Sequence, residues 1–315
     1  MVSRKGLFSI LLLISLNALA QDSGKKIPFR LVNNHIYIPG ILKDTQQIWM
    51  LLDCGAGTML SDEQAKKSRI KTHSYGQTDG VGNNTAPYQM TDSASFILGS
   101  IRYTEKTVPV LSFTEIEDCA AKITVDKEGK MKFFKNRINN VLPIDAVLGD
   151  KFFRKFVIKI DYQEQVLTLF EPSAFHYSGS GDRIPLKYSD NHIYVGASVT
   201  GADSLPVSGY FMVDCGSMTG LILNVPFIEQ HQLTLSAGAT EISLCGIGGS
   251  SKSMMGTLAD LRIGRGMIKK PVTIFSQASS GVLTRADIAG TIGNGILGRF
   301  RVIFDYSRKE MILEE

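Results

Sequence analysis

The chain has 315 residues, 43% of them hydrophobic and 20% charged, with a net charge of +4. That balance excludes a disordered chain, and a charge so near zero gives no basis for binding nucleic acid or an anionic membrane surface. The 30 glycines follow no G-X-Y period, which excludes a fibrous protein and predicts the many tight turns of a strand-rich fold.

Residues 1–20 read as a secretory signal peptide. Arg4 and Lys5 form its basic start, residues 7–16 its apolar run, and Ala18-Leu19-Ala20 a small-x-small cleavage site. The expected destination is the periplasm or the exterior. Cleavage before Gln21 lowers the net charge to +2. No later stretch approaches the ~18 apolar residues of a membrane span. Four cysteines follow, Cys54, Cys119, Cys215 and Cys245. Export permits disulfides among them and leaves three full pairings open. Neither C-x-x-C nor a Cys/His ligand spacing occurs, so no metal and no cofactor are expected.

Beyond the leader the sequence runs through its elements twice. Asn34-His35-Ile36-Tyr37-Ile38 returns as Asn191-His192-Ile193-Tyr194-Val195. Trp49-Met50-Leu51-Leu52-Asp53-Cys54-Gly55-Ala56 returns as Tyr210-Phe211-Met212-Val213-Asp214-Cys215-Gly216-Ser217. Gly80-Val81-Gly82 is echoed by Gly246-Ile247-Gly248, and residues 149–162 align without gaps to 293–306. Such a tandem duplication predicts two similar lobes, at 21–172 and 186–315, joined by a Ser/Gly-rich linker at 173–185. Short β-branched and aromatic runs separated by Gly, Asn, Asp or Pro make each lobe strand-rich and barrel-like, with helix confined to pieces such as 61–68 and 226–232. The main difference between the halves is a polar, charge-mixed insertion between Ser112 and Asp145 that carries Cys119.

An aspartate that ends an apolar strand and precedes a glycine points to function, because charges rarely sit where strands pack unless paired or used. Gly55 and Gly216 let the backbone turn beside Asp53 and Asp214 and leave N–H groups free to donate to them. Two such loops from two similar lobes predict facing carboxylates that share one proton and hold a water. One acts as general base on that water while the other protonates a substrate carbonyl.

These residues resemble aspartic proteases of the pepsin and retropepsin type. The motif stands here as Leu51-Leu52-Asp53-Cys54-Gly55-Ala56 with Val147-Leu148-Gly149, and as Met212-Val213-Asp214-Cys215-Gly216-Ser217 with Thr291-Ile292-Gly293. The likeness covers nearly all of the chain beyond the leader and is greatest to exported bacterial members with two retropepsin-like lobes in one polypeptide. It implies an all-β fold of two six-stranded, barrel-like lobes with the site between them. Asp53 and Asp214 would be the catalytic dyad of an endopeptidase, supported from behind by the apolar-apolar-Gly segments. Gly80, Val81 and Gly82, with Gly246, Ile247 and Gly248, would be the tips of two flaps over an extended peptide or protein substrate. Gly55, Ala56, Gly216 and Ser217 would lie beside it. One chain holding both lobes would complete its site as a monomer.

Cys54 and Cys215 depart from the family, which has Thr or Ser there to tie the two loops together. Two buried thiols and a Cys54–Cys215 disulfide are both open, as is Cys119–Cys245. A Ser217 hydroxyl donating to Asp214, with no counterpart at Ala56, would leave the shared proton on Asp53 and make Asp214 the base. The departures also raise an alternative, a catalytically impaired protein that binds peptides in the same cleft. Thiol chemistry at Cys54 or Cys215 lacks a partner histidine motif. Tyr75 precedes the likelier hairpin tip, His35 and His192 read as structural, and Gly293-x-Gly295-x-x-Gly298 lacks the βαβ setting of a dinucleotide site.

Overall fold

The computed structural model describes residues 24–138, 141–202 and 205–315; residues 1–20, read as a signal peptide, lie outside the described residues. Strand formation begins where the apolar runs begin. In the N-terminal lobe His35–Leu42 pairs antiparallel with Gln46–Leu52, whose last residues, Met50, Leu51 and Leu52, are buried. The chain turns at Asp53 and returns as Met59–Ser61. A later strand, Ala146–Leu148, then inserts between the two, parallel to Gln46–Leu52 and antiparallel to Met59–Ser61. The long hairpin Ala86–Leu98/Ile101–Leu111 completes the lobe. Ile101–Leu111 pairs with Met59–Ser61, and Ala86–Leu98 meets His35–Leu42 at Ile41↔Ile97 and Leu42↔Phe96. The result is a closed ring of six strands, as the family resemblance implies.

The C-terminal lobe repeats the design. Gly290–Ile292 inserts parallel to Val207–Val213 and antiparallel to Leu221–Leu223. Here the long hairpin is broken in two, Gly249–Thr257/Val272–Ser276 and Asp260–Ile263/Gly266–Lys269. The break falls at Leu258-Ala259 on one side and at Lys270-Pro271 on the other, where Lys270 has φ 47° and Pro271 has no N–H to donate. Asp260–Ile263 still pairs with His192–Thr200 and brings the sheet round.

A six-stranded sheet joins the lobes in the order Lys25–Pro28, Val166–Phe170, Val157–Asp161, Arg301–Asp305, Glu310–Glu314, Asp182–Pro185. Its central pair takes one strand from each lobe, with Ile158↔Phe304 and Ile160↔Val302 flanking Lys159↔Ile303. Ile158 is equivalent to Val302 and Ile160 to Phe304 in the internal repeat, so the pairing is self-complementary about a pseudo-twofold axis. The segment read as a linker ends inside this sheet, since Asp182–Pro185 pairs with Glu310–Glu314.

The insertion is structured. It forms a helix, Thr114–Ala120, and a hairpin, Ile123–Val125/Met131–Phe133, and it buries Ala120, Ala121, Ile123 and Met131. Ile123 and Met131 pack on the C-terminal lobe, in a cluster with Ile222, Ile242, Leu244, Met255 and Ile274. Cys119 of the helix is disulfide-bonded to Cys245, 126 residues away in the opposite lobe. A cross-link closing so long a loop removes much chain entropy from the unfolded state. Replacing both cysteines by serine is expected to lower unfolding free energy by about 2–4 kcal/mol, read from denaturant titration. Among the described residues no helix is long and apolar enough to cross a membrane.

Candidate active site

Each inserted strand props up the loop beyond it. Asp53 N–H donates to Leu148 O and Asp214 N–H to Ile292 O, both at 3.0 Å. Behind the loops, a Cβ on Gly149 would stand 2.2 Å from the Gly57 carbonyl carbon, and one on Gly293 would stand 2.5 Å from Thr219 O. Only glycine lets the backbone come so close, which explains the apolar-apolar-Gly pattern. Ala56 O and Ser217 O accept from Asp150 N and Asn294 N at 2.8 and 2.9 Å, which completes the symmetric support.

The two carboxyl groups meet across the axis. Gly55 N–H donates to Asp53 Oδ1 and Gly216 N–H to Asp214 Oδ1, each at 2.8 Å. A Cβ on Gly216 would lie 2.2 Å from Asp53 Cγ, and one on Gly55 would lie 2.8 Å from Asp214 Cγ. Each carboxyl therefore rests against the opposite loop's glycine, and the two are hydrogen-bonded to each other. Burial and then the charge of Asp214 push the Asp53 carboxyl well above its usual range. Burial also raises Asp214, opposed by the hydrogen bond from Asp53, the N–H of Gly216, nearby His192 and the N–H of Ser217. One proton between them is the arrangement these directions favour.

Ser217 does this differently from the sequence expectation. Its hydroxyl pairs with Thr219 Oγ1 at 2.9 Å, a partner two residues along the same turn, and its backbone N–H faces Asp214 instead. The dyad is still asymmetric, but backbone dipoles supply the difference.

Cys54 and Cys215 are free, fully buried thiols. Each backbone N–H donates to the other's Sγ at 3.2 Å, while Cys54 Sγ donates to Val213 O at 3.3 Å and Cys215 Sγ to Leu52 O at 3.6 Å. The two loops are thus tied by four hydrogen bonds across the axis, each with a cysteine sulfur as donor or acceptor. Burial pushes both thiols above their usual pKa, so neither is an activated nucleophile.

A second set of residues, which motif reading misses, clamps one loop only. Asn294 Nδ2 donates to Cys215 O at 2.7 Å and to Asn34 O at 2.6 Å, and its Oδ1 accepts from Tyr162 OH at 2.7 Å. Asn34 Nδ2 donates to Met218 O at 3.1 Å, and the His35 ring donates to Gly216 O. Asn34 can present its side chain this way because it adopts φ 62°, which asparagine tolerates. In the other half Asp150 replaces Asn294 and pairs with Arg154 and Tyr188. The signal was present in the repeated Asn-His pair and in the residue after each apolar-apolar-Gly.

Burial pulls the His35 pKa down to about 4. A histidine with a folded pKa below its unfolded value of about 6.5 binds its proton more weakly when folded, so stability falls as pH drops from about 6.5 towards 4. At about 1.4 kcal/mol per unit, the full loss approaches about 3 kcal/mol. His35→Gln, which keeps a donor without the titration, is expected to lose less thermal stability between pH 7 and pH 4 than the parent, as followed by calorimetry.

The two glycine-tipped hairpins meet. Gly82 N–H donates to Ile247 O and Asn84 N–H to Gly248 O, both at 3.0 Å, and a Cβ on Gly246 would stand 2.8 Å from Val81 Cβ. Ile247 packs with Leu51, Ala56 and Val147 of the N-terminal lobe, next to Asp53. Val81 packs against the apolar cluster that Met218 also joins, next to the Asp214 loop. Each tip thus reaches over the other lobe's side of the dyad. Tyr75 lies on the strand His73–Thr78, exposed, with its ring against Tyr88. Among the described residues no group of three or more His, Cys, Asp or Glu side chains is placed to hold a metal ion.

No protein-family model matches the sequence, and no curated protein matches it. Among solved structures, the chain is similar to an aspartic proteinase from Irpex lacteus, at 13% identity and a TM-score of 0.49 over 93% of this chain and 97% of that one.

Proposed function

We propose that the chain is an aspartic-type peptidase that hydrolyses peptide bonds with water activated between Asp53 and Asp214. The observation that carries this reading is the pair of facing, hydrogen-bonded carboxyls on duplicated loops, both held above the usual range. Asp214, better supplied with N–H donors, is the ionised partner and takes a proton from water as the oxygen attacks the scissile carbonyl carbon. Protonated Asp53 gives its proton to the carbonyl oxygen. Collapse of the tetrahedral intermediate breaks the C–N bond, the proton on Asp214 passes to the leaving amine, and the departing hydroxyl proton restores Asp53. The substrate lies extended between the lobes, beside Gly55, Ala56, Gly216 and Ser217 and beneath Gly80, Val81, Gly82, Gly246, Ile247 and Gly248. Export after removal of residues 1–20, and action as a monomer, complete the reading.

The thiol tie supports turnover over mere peptide binding, because it holds the loops as the family's hydroxyls would. A peptide-library digest of residues 21–315 between pH 3 and pH 8, with products sequenced by mass spectrometry, tests the function. Cleavage that is indifferent to thiol-blocking reagents is expected. Cleavage abolished by them in a still-folded protein would transfer the chemistry to cysteine, and no cleavage at any pH would leave a binding protein.

A further inference from the structure

The two ends of the cleft are built differently. In the internal repeat Gly57, Thr58 and Met59 are equivalent to Met218, Thr219 and Gly220, the floor just beyond each aspartate loop, and Asp79 is equivalent to Cys245 at the base of a flap tip. At the Met218 end the insertion touches both floor and roof. Asn34 Nδ2 is shared between Asp126 O at 2.8 Å and Met218 O at 3.1 Å. The hairpin tip is seated against the floor, so that a Cβ on Gly129 would lie 2.3 Å from Gly220 N and one on Gly295 would lie 2.6 Å from Glu128 O. Met218 packs on the cluster that holds Ile123 and Met131. Above, Cys119 is bonded to Cys245 of the flap strand Thr240–Gly246.

At the Gly57 end Ile116 of the insertion helix joins the apolar cluster of Met59 and Ala56, but among the described residues no hairpin is seated on the floor and no disulfide ties the roof. Gly57 is exposed, and nothing lies within 4 Å of the position its Cβ would take. Asp79 is exposed. The loop equivalent to the insertion reaches only the roof, through Val282 N–H to Gly80 O at 3.2 Å and Ser280 Oγ to Asn83 O at 2.8 Å. Among the described residues no hydrogen bond joins that loop to residues 57–59.

We infer that residues 114–138 form a wall across one end of the cleft, so that this peptidase takes peptides by one terminus and cuts a short distance from it. This rests on the aspartic-peptidase reading. Met218 is four residues from Asp214, at most ~14 Å of chain. Between dyad and wall there is room for at most about four extended substrate residues at ~3.3 Å each. The open end accepts a chain of any length. Free oligopeptides and frayed protein termini are then substrates and interior bonds of long or cyclic chains are not, in place of the endopeptidase action that the family resemblance implies.

The test compares one cleavable sequence in three forms: a free linear peptide, the same peptide cyclised head to tail, and the same peptide fused between two folded domains. Linear peptides are expected to lose fragments of about four residues or fewer from one end only, and the closed forms to be cut at least ~10-fold more slowly. Equal rates for all three would overturn the wall. Gly129→Val, which drives a side chain into Gly220 N, is expected to narrow that difference, and a folded variant with the ratio unchanged would also overturn it. If the variant does not fold, the parent's ratio decides. The preference is read independently as binding of the three forms to Asp53→Asn by fluorescence anisotropy. A protein that binds linear peptide selectively but never cleaves it therefore contradicts the peptidase reading alone.

Discussion

Asp53→Asn and Asp214→Asn are each expected to lower kcat/KM for peptide cleavage by at least ~10²-fold and to raise the melting temperature at pH 7. The first effect follows from role: an amide neither takes a proton from water nor delivers one to a carbonyl, and a positioned acid or base contributes ~10²–10⁴-fold. The second follows from linkage. Burial holds both carboxyls above their ordinary value of 3.8, and the charge of Asp214 raises Asp53 further. A group with a folded pKa above its unfolded one binds its proton more tightly when folded. Its stabilising effect is complete below the unfolded value and is lost as pH rises through the folded one. At pH 7 the native protein carries that cost and the amide variants do not. Steady-state kinetics and calorimetry on the same samples read both effects. Aspartates that merely capped their own loops would give the reverse, a lower melting temperature with activity retained.

Gly216→Ala is expected to cost at least ~10² in kcat/KM, and Gly55→Ala less. The added methyl at 216 would stand 2.2 Å from Asp53 Cγ and 2.4 Å from its Oδ2, whereas at 55 the nearest atom of Asp214 is 2.8 Å away. Neither carboxyl can swing aside freely, because each accepts a backbone N–H at 2.8 Å from its own loop. A displacement near 1 Å between reacting groups can cost ~10²-fold. The order of the two variants in kcat/KM, with melting curves to exclude unfolding, reads which carboxyl is packed more tightly.

The sequence exposes what is repeated and hides what is not. Asp53 and Asp214, their glycines and the apolar-apolar-Gly strands could be found because the same local geometry is encoded twice, and the self-complementary central pair at Lys159 and Ile303 follows from the same duplication. The inter-lobe contacts have no copy to betray them. The segment between Ser112 and Asp145 read as a polar, charge-mixed insertion because only a few apolar side chains, among them Ile123 and Met131, carry its packing on the other lobe. The choice of Cys245 for Cys119 depends on where the helix lands on the other lobe. Ser217 went to Thr219 because a partner two residues away competes with a carboxylate across the turn. His35 read as a structural strand residue, and its ring holds the Asp214 loop of the opposite lobe.

The most direct test is the pH dependence of kcat/KM between pH 3 and pH 8, with His35→Gln run alongside to remove the histidine's own ionisation. A dyad sharing one proton is active only between its two ionisations. The expected profile is a bell with both limbs above 3.8, the ordinary carboxylate value, because Asp53 and Asp214 are both shifted upward. A rate that rises through a single ionisation and stays level to pH 8 would contradict catalysis by a shared proton between these two carboxyls.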